Sequence, residues 1–407
     1  MKYQFPRFLT TSAVLLLLFG LACNRPTEIS IERLGNPAPH GSIAPNVTEG
    51  ADSQAMLSWI EPANNTLALR FSFRDANGWS VPQTIVERPN FARYPESPSW
   101  VLMLPNGALI STWSEELPSE QKWPGSYLYA AVSADKGKSW SRPVVVHSDR
   151  SNSEHSFASL AALDENHADI VWLDARDNES KHKYRLMSAV ISSAGSVANE
   201  ETIDDDVCTC CPTALAQTGA GLLAAYRDHT PEQLRDIYSI RRESGRWQTS
   251  KPIHQDGWRI NACPVNGPAL ASRGNNVAVA WFTGAQDKPI VRVAFSNDGG
   301  ATFQGPAIVD SADQKHSPMG RVSIALLASG DALVAWTLHR GDHSELVATR
   351  VNRNSGVTDP TVIATSGEEG LGYPHMQPWA SGALLAWGGA GEEKEIKTAI
   401  LRPGNAR

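Results

Sequence analysis

Asn276-Val-Ala-Val-Ala-Trp281-Phe-Thr283 is an apolar run that closes on an aromatic residue, and the chain repeats that design seven times. The other runs are MLSWIE around Trp59, ALISTWSEE around Trp113, ADIVWLDAR around Trp172, LLAAYRD around Tyr226, ALVAWTLHR around Trp336 and ALLAWGG around Trp387. Successive aromatics are 54, 59, 54, 55, 55 and 51 residues apart. Short β-rich runs at that period, with no long helical pattern, predict an all-β radial array of four-stranded sheets, a β-propeller. Around Trp281 the strands are expected at PVNGPALAS, NVAVAWF, IVRVAFS and GPAIVD, separated by Gly, Asn and Asp turns. The last unit, Tyr373 to Arg402, has room for three strands, whereas Ile29 to Gly35 stands alone before the first. Seven blades are therefore expected, with the N-terminal strand closing the seventh and covering its open edge. Six blades remain the alternative if one unit is vestigial.

Residues 1–22 read as an export signal. Lys2 and Arg7 precede the apolar stretch Ala13 to Ala22, which is short for a bilayer span and ends in small residues before Cys23. The run Gly20-Leu21-Ala22-Cys23 resembles a lipoprotein cleavage box, which implies lipidation of Cys23 and anchoring in the cell envelope, with Asn24 favouring the outer membrane. Residues 23–28 are a linker and 29–403 one propeller domain. Beyond the signal, 34 basic residues face 43 acidic ones, a formal charge of −9 with no basic block. That balance excludes a nucleic-acid footprint. A monomer is expected.

Two turns repeat a tighter pattern. Ser133-Ala-Asp135-Lys-Gly137-Lys-Ser139-Trp140 and Ser296-Asn-Asp298-Gly-Gly300-Ala-Thr302-Phe303 both resemble the Asp box, Ser-x-Asp-x-Gly-x-Thr-Trp. Its carboxylate accepts backbone N–H bonds inside the turn, its Gly permits a positive φ, and its aromatic packs beneath. RDANGW (74–79) and RESGRW (242–247) are worn versions.

After about Glu154 the strings EHSF, WLDAR, DDDVCTCCPT, YRDHTPEQLRDIY, DGWRINACPVNGPA and AFSNDGGATF resemble a bacterial family of secreted sialidase-like Asp-box (BNR) proteins, often labelled exo-alpha-sialidase. The resemblance implies an Asp-box propeller. A sialidase reaction needs three arginines for a carboxylate, a tyrosine nucleophile activated by a glutamate, and an acid that protonates the leaving oxygen. Arg176, Arg227 and Arg321 are the candidate arginines, and Asp174, Asp228 and Glu154 the candidate acids or bases. Tyr94 and Tyr373 are candidate nucleophiles without an assigned glutamate. His155, Asn266 and His375 are expected on the same face, where first strands start and second strands end. The first blade departs from the sialidase pattern: Ser42-Ile43-Ala44-Pro45-Asn46 stands where Phe/Tyr-Arg-Ile-Pro is expected. The competing reading makes Asp174 with Arg176, and Arg227 with Asp228, ion pairs that knit blades together.

Cys208, Cys210, Cys211 and Cys263 admit three readings. An exported chain favours disulfides, one of them bridging neighbouring blades. A soft-metal site would take copper or zinc, and a redox-active pair would need an electropositive thiol. The sialidase-like reading needs no cofactor. Sequence thus supports a glycan- or anion-binding propeller, with a metal or thiol site and a non-catalytic partner-binding scaffold as alternatives.

Overall fold

The computed structural model describes residues 29–404 apart from 52–53, 121–123, 177–182, 355, 368–370 and 390–394. The export signal, Cys23 and the linker lie outside the described residues. Seven antiparallel sheets of four or five strands follow one another along the chain. The fold is a seven-bladed β-propeller. Blade 5 shows the repeat: Ala269–Arg273 inside, then Asn276–Thr283, Ile290–Ser296 and Ala307–Ser311. Its first strand starts later than the sequence suggests, because Pro264 to Pro268 form a loop ahead of it.

Blade 7 contains His375–Trp379, Gly382–Gly388 and Ile396–Arg402, and its fourth strand is Ser30–Leu34, paired in antiparallel register from Ser30 opposite Arg402 to Leu34 opposite Thr398. The ring is also closed by packing. Seven separate apolar clusters form, each between two adjacent blades, including one that joins Leu57 and Trp59 of blade 1 to Leu384 and Ala386 of blade 7. Every repeat aromatic is buried in a different cluster, so the repeat seen in the sequence is one aromatic per blade interface.

Burying an indole obliges its N–H to find an acceptor. Trp59 donates to Glu61 (2.6 Å), Trp113 to Glu115 (2.8 Å) and Trp172 to Asp174 (2.9 Å), each two residues on. In later blades the acid comes from the preceding unit: Trp281 donates to Asp256 and Trp336 to Asp310, both at 2.7 Å. An arginine then pairs with four of these carboxylates, Arg70 with Glu61, Arg88 with Glu115, Arg176 with Asp174 and Arg292 with Asp256, and His316 Nε2 lies 2.7 Å from Asp310.

Both box turns fold as their sequence implies. Asp135 accepts from the Ser139 N–H (2.9 Å) and hydroxyl (2.6 Å), and Asp298 accepts from the same groups of Thr302 at 3.0 and 2.6 Å. Hydrogen bonds from Ser139 and Ser133 hold Asp135 down at about 2. Gly137 has φ +86 and lies so close to Phe71 of blade 1 that a Cβ there would collide with the ring. The box therefore clasps the preceding blade.

Candidate functional site

The inner strands surround an axial cavity of about 520 Å³. Antiparallel pairing puts the starts of the inner strands at one mouth, where Glu96, Phe157, Pro212, Gly267, Arg321, Tyr373 and His375 line it. The inner strands of blades 1, 3 and 6 carry register shifts there, each with a non-glycine residue in left-handed conformation: Ala44 (φ +51), Phe157 (φ +55) and Arg321 (φ +52). Bulges re-aim side chains, and this one gives the channel wall an arginine. Asn266 fixes the bulge, accepting the Arg321 N–H on Oδ1 (2.8 Å) and donating from Nδ2 to the carbonyls of Met319 and Pro264 (3.1 Å each).

The Arg321 guanidinium donates to the Leu371 carbonyl and sits 5.1 Å from the Tyr373 ring centroid, a cation–π contact. Tyr373 in turn donates its hydroxyl to the Val265 carbonyl. Burial raises the Glu96 carboxyl, with Glu154 adding to it and Arg321 opposing. His375 also lines the cavity; burial depresses its imidazole to about 4, and its Nε2 has no hydrogen-bond partner among the described residues. Trp100 also lines the cavity, and its indole N–H has no partner among the described residues.

Glu154 does find a tyrosine, although one the sequence reading missed. Tyr184 donates its hydroxyl to Glu154 Oε2 (2.7 Å), and Ser156 donates to Oε1 (2.6 Å). Third strands also begin at this mouth, and Tyr184 begins the third strand of blade 3, Tyr184–Ser192. Burial and Glu154 push the Tyr184 phenol far up, and Tyr94 rises to about 12 through burial, Glu154 and Glu116. Burial likewise raises Tyr373, so all three tyrosines carry neutral hydroxyls at neutral pH.

The structure does not join Arg176 and Arg227 to Arg321. Arg176 is committed to Asp174 (2.7 Å) and to Glu200, and Asp174 also accepts the Trp172 indole N–H, the arrangement that recurs in other blades. Arg227 is 1% exposed and spends its guanidinium on the carbonyls of Asn266, Arg235 and Phe282, tying blade 4 to blade 5. The expected Arg227–Asp228 pair is replaced by this carbonyl cage. His155 is fully buried: Nδ1 donates to the Ser126 carbonyl (2.7 Å), Nε2 faces Asp149 (3.2 Å) and Asp174 (3.5 Å), and the ring stacks on His147. These three ligating atoms lie within 4.8 Å of one another. With Arg176 and Trp172 already on Asp174, they form a hydrogen-bonded knot between blades 2 and 3.

Asp228 sits among acids. Burial first, then Asp204, Asp206 and Asp236, push its carboxyl up to about 8. A folded-state value above the unfolded one means that the folded chain holds the extra proton between about pH 4 and 8, so this group lowers stability as pH rises through that window. Asp228→Asn is expected to stabilise the protein by about 1–3 kcal/mol at pH 8.5, and by almost nothing at pH 3.5. Thermal melts across that range check it; a gain independent of pH contradicts the assignment.

Cys210 and Cys263 form a disulfide that joins the start of blade 4 to that of blade 5, so the inter-blade bridge expected from the sequence is present. Cys208 and Cys211 are buried thiols whose sulfurs lie 3.0 Å apart.

No protein-family model matches the chain, and no curated protein does. Among solved structures the fold is similar to Trypanosoma rangeli sialidase, at 12% identity and TM-score 0.48, covering 84% of this chain and 58% of that one. It is also similar to an alpha-L-arabinofuranosidase of Fusarium graminearum (13%, TM-score 0.48, covering 92% and 97%) and to an ulvan lyase (11%, TM-score 0.44, covering 80% and 79%). At these identities the likeness is one of fold, and the chemistry rests on this chain's own residues.

Proposed function

We propose that the axial mouth recognises an acidic glycan, with Arg321 holding the carboxylate of a terminal sugar. The observation that carries this reading is a guanidinium set into the channel wall by a bulge, with no carboxylate hydrogen-bonded to it among the described residues. Planar paired donors suit a carboxylate. The unpartnered His375 nitrogen and Trp100 indole N–H offer partners for sugar hydroxyls, and burial keeps His375 neutral at neutral pH. Glu96, whose carboxyl is raised by burial, lines the same mouth.

The same groups bear on hydrolysis. Glu96, raised by burial, is the candidate leaving-group acid, and Tyr184 donates its hydroxyl to Glu154 at the mouth. Their neutral phenols make recognition the better supported activity. Export and lipidation at Cys23 belong to the same proposal, placing the mouth in the cell envelope; a diacylglycerol-modified Cys23 peptide in mass spectra tests that part, and an unmodified mature N-terminus at another residue contradicts it.

Calorimetric titration with sialic-acid- and uronic-acid-terminated oligosaccharides tests the binding. Arg321→Ala is expected to weaken binding at least about tenfold, equivalent to ~1.4 kcal/mol, with Arg321→Lys intermediate. Equal affinity in wild type and Arg321→Ala, or binding of neutral glycans alone, sinks the reading. Turnover of a fluorogenic sialoside that disappears in Glu96→Gln extends it to catalysis.

A further inference from the structure

We propose that Cys208, Cys210, Cys211 and Cys263 form a thiol–disulfide exchange centre, in which the buried Cys208 thiolate displaces Cys263 from Cys210 and releases Cys263 as an exposed thiolate beside the axial mouth. The Sγ atoms of Cys208, Cys210 and Cys211 lie within 4.8 Å of one another, so attacking thiol and target sulfur are neighbours in the fold. Cys208 and Cys211 are each 1% exposed, whereas Cys263 at the far end of the disulfide is open to solvent.

The interior around Cys208 favours an anion. Arg235 donates from Nη1 to Cys208 Sγ (3.2 Å) and from Nε to the Ile260 carbonyl (3.0 Å), while Arg227 next to it bonds only carbonyl oxygens in its cage. Two buried cations surrounded by dipoles need a negative partner, and the thiolate supplies it. Burial opposes ionisation of Cys208, but the Cys211 hydrogen bond, Arg235 and Arg227 together bring it down to about 6. Burial and the Cys208 charge push Cys211 the other way, so Cys211 keeps its proton and donates. One sulfur is thus the nucleophile and its neighbour the acid that steadies it.

The exchange conserves electrons. Cys208 sulfur attacks Cys210 sulfur, the Cys208–Cys210 bond forms, the Cys210–Cys263 bond breaks, and Cys263 leaves with the electron pair. One disulfide and two thiols remain, with no oxidant required. Cys263 can then attack a disulfide from solution, forming a mixed disulfide and releasing one thiolate of that compound. The partner class is a small or protein-borne disulfide. Tyr373, bonded to the Val265 carbonyl two residues from Cys263, places this chemistry on the rim of the mouth but independent of any glycan.

The test is a timed iodoacetamide pulse on native, full-length protein at pH 7 with a chelator present, then acid quenching and peptide mapping under non-reducing conditions. The expected result is label on Cys263 together with a Cys208–Cys210 disulfide. Cys208→Ser is expected to slow Cys263 labelling at least about tenfold, and Arg235→Gln, which keeps every cysteine, to slow it severalfold with a higher pH midpoint. Cys263 unlabelled in the native wild type, two disulfides with no free thiol, or labelling undiminished in both variants overturns the proposal.

Discussion

Protein that lacks residues 29–35 is expected to lose its cooperative fold or melt at least about 10 °C lower, the consequence of removing roughly 5 kcal/mol of strand burial. The segment supplies five antiparallel pairings to Ile396–Arg402 and puts Ile29 into the core between blades 6 and 7. Arg33 binds the Ile363 carbonyl of blade 6 while lying over the Trp387 ring at 5.2 Å. Without the strand, blade 7 keeps an open edge of unpaired backbone that invites aggregation. A synthetic peptide spanning 29–36 should restore solubility in trans. Unchanged melting in the truncated protein would mean that closure rests on side-chain packing alone.

Asp169→Ala is expected to cost about 3–5 kcal/mol, because it strands the Arg242 guanidinium in the interface between blades 3 and 4. Asp169 is fully buried, accepts Ser188 Oγ at 2.8 Å and pairs with Arg242, which is itself buried. Arg242 opens RESGRW, so an ion pair to the preceding blade stands where blades 2 and 5 use the turns at Asp135 and Asp298. Joint replacement, Asp169→Leu with Arg242→Met, should recover most of the loss, since two matched apolar groups leave no orphaned charge. Chemical denaturation of the three variants checks this. A single variant within 1 kcal/mol of wild type contradicts the assigned burial.

The blade count was readable because second strands are buried on both faces, which writes each as an unbroken apolar run ending in the aromatic of one blade interface. The lone strand at Ile29 to Gly35 was readable for a related reason: the last unit lacked a fourth strand. Height along the axis could also be inferred, because strand order alone decides which residues reach the mouth. Radial direction could not. Of the three candidate arginines, carbonyls across the next blade capture Arg227, a tryptophan-bound carboxylate captures Arg176, and only Arg321 lines the channel. Its presence there depends on a bulge and a left-handed φ that glycine would have advertised and arginine does not. Tyr184 was hidden because a third strand starts at the mouth only by virtue of two preceding antiparallel turns, with no motif to mark its first residue. For the cysteines, blade adjacency indicated an inter-blade bridge but not which of three sulfurs takes it; in the structure it is Cys210, whose Cα lies 6.1 Å from that of Cys263.

The central claim is that Arg321 at the axial mouth receives the acidic group of a glycan. A crystal structure of the protein soaked with sialic acid or a uronic acid tests it most directly. The account predicts the sugar in the channel mouth with its carboxylate within hydrogen-bond distance of Arg321 and a hydroxyl on His375 Nε2. A sugar bound outside the channel, with its carboxylate held by other residues and Arg321 still turned to the Leu371 carbonyl, contradicts it.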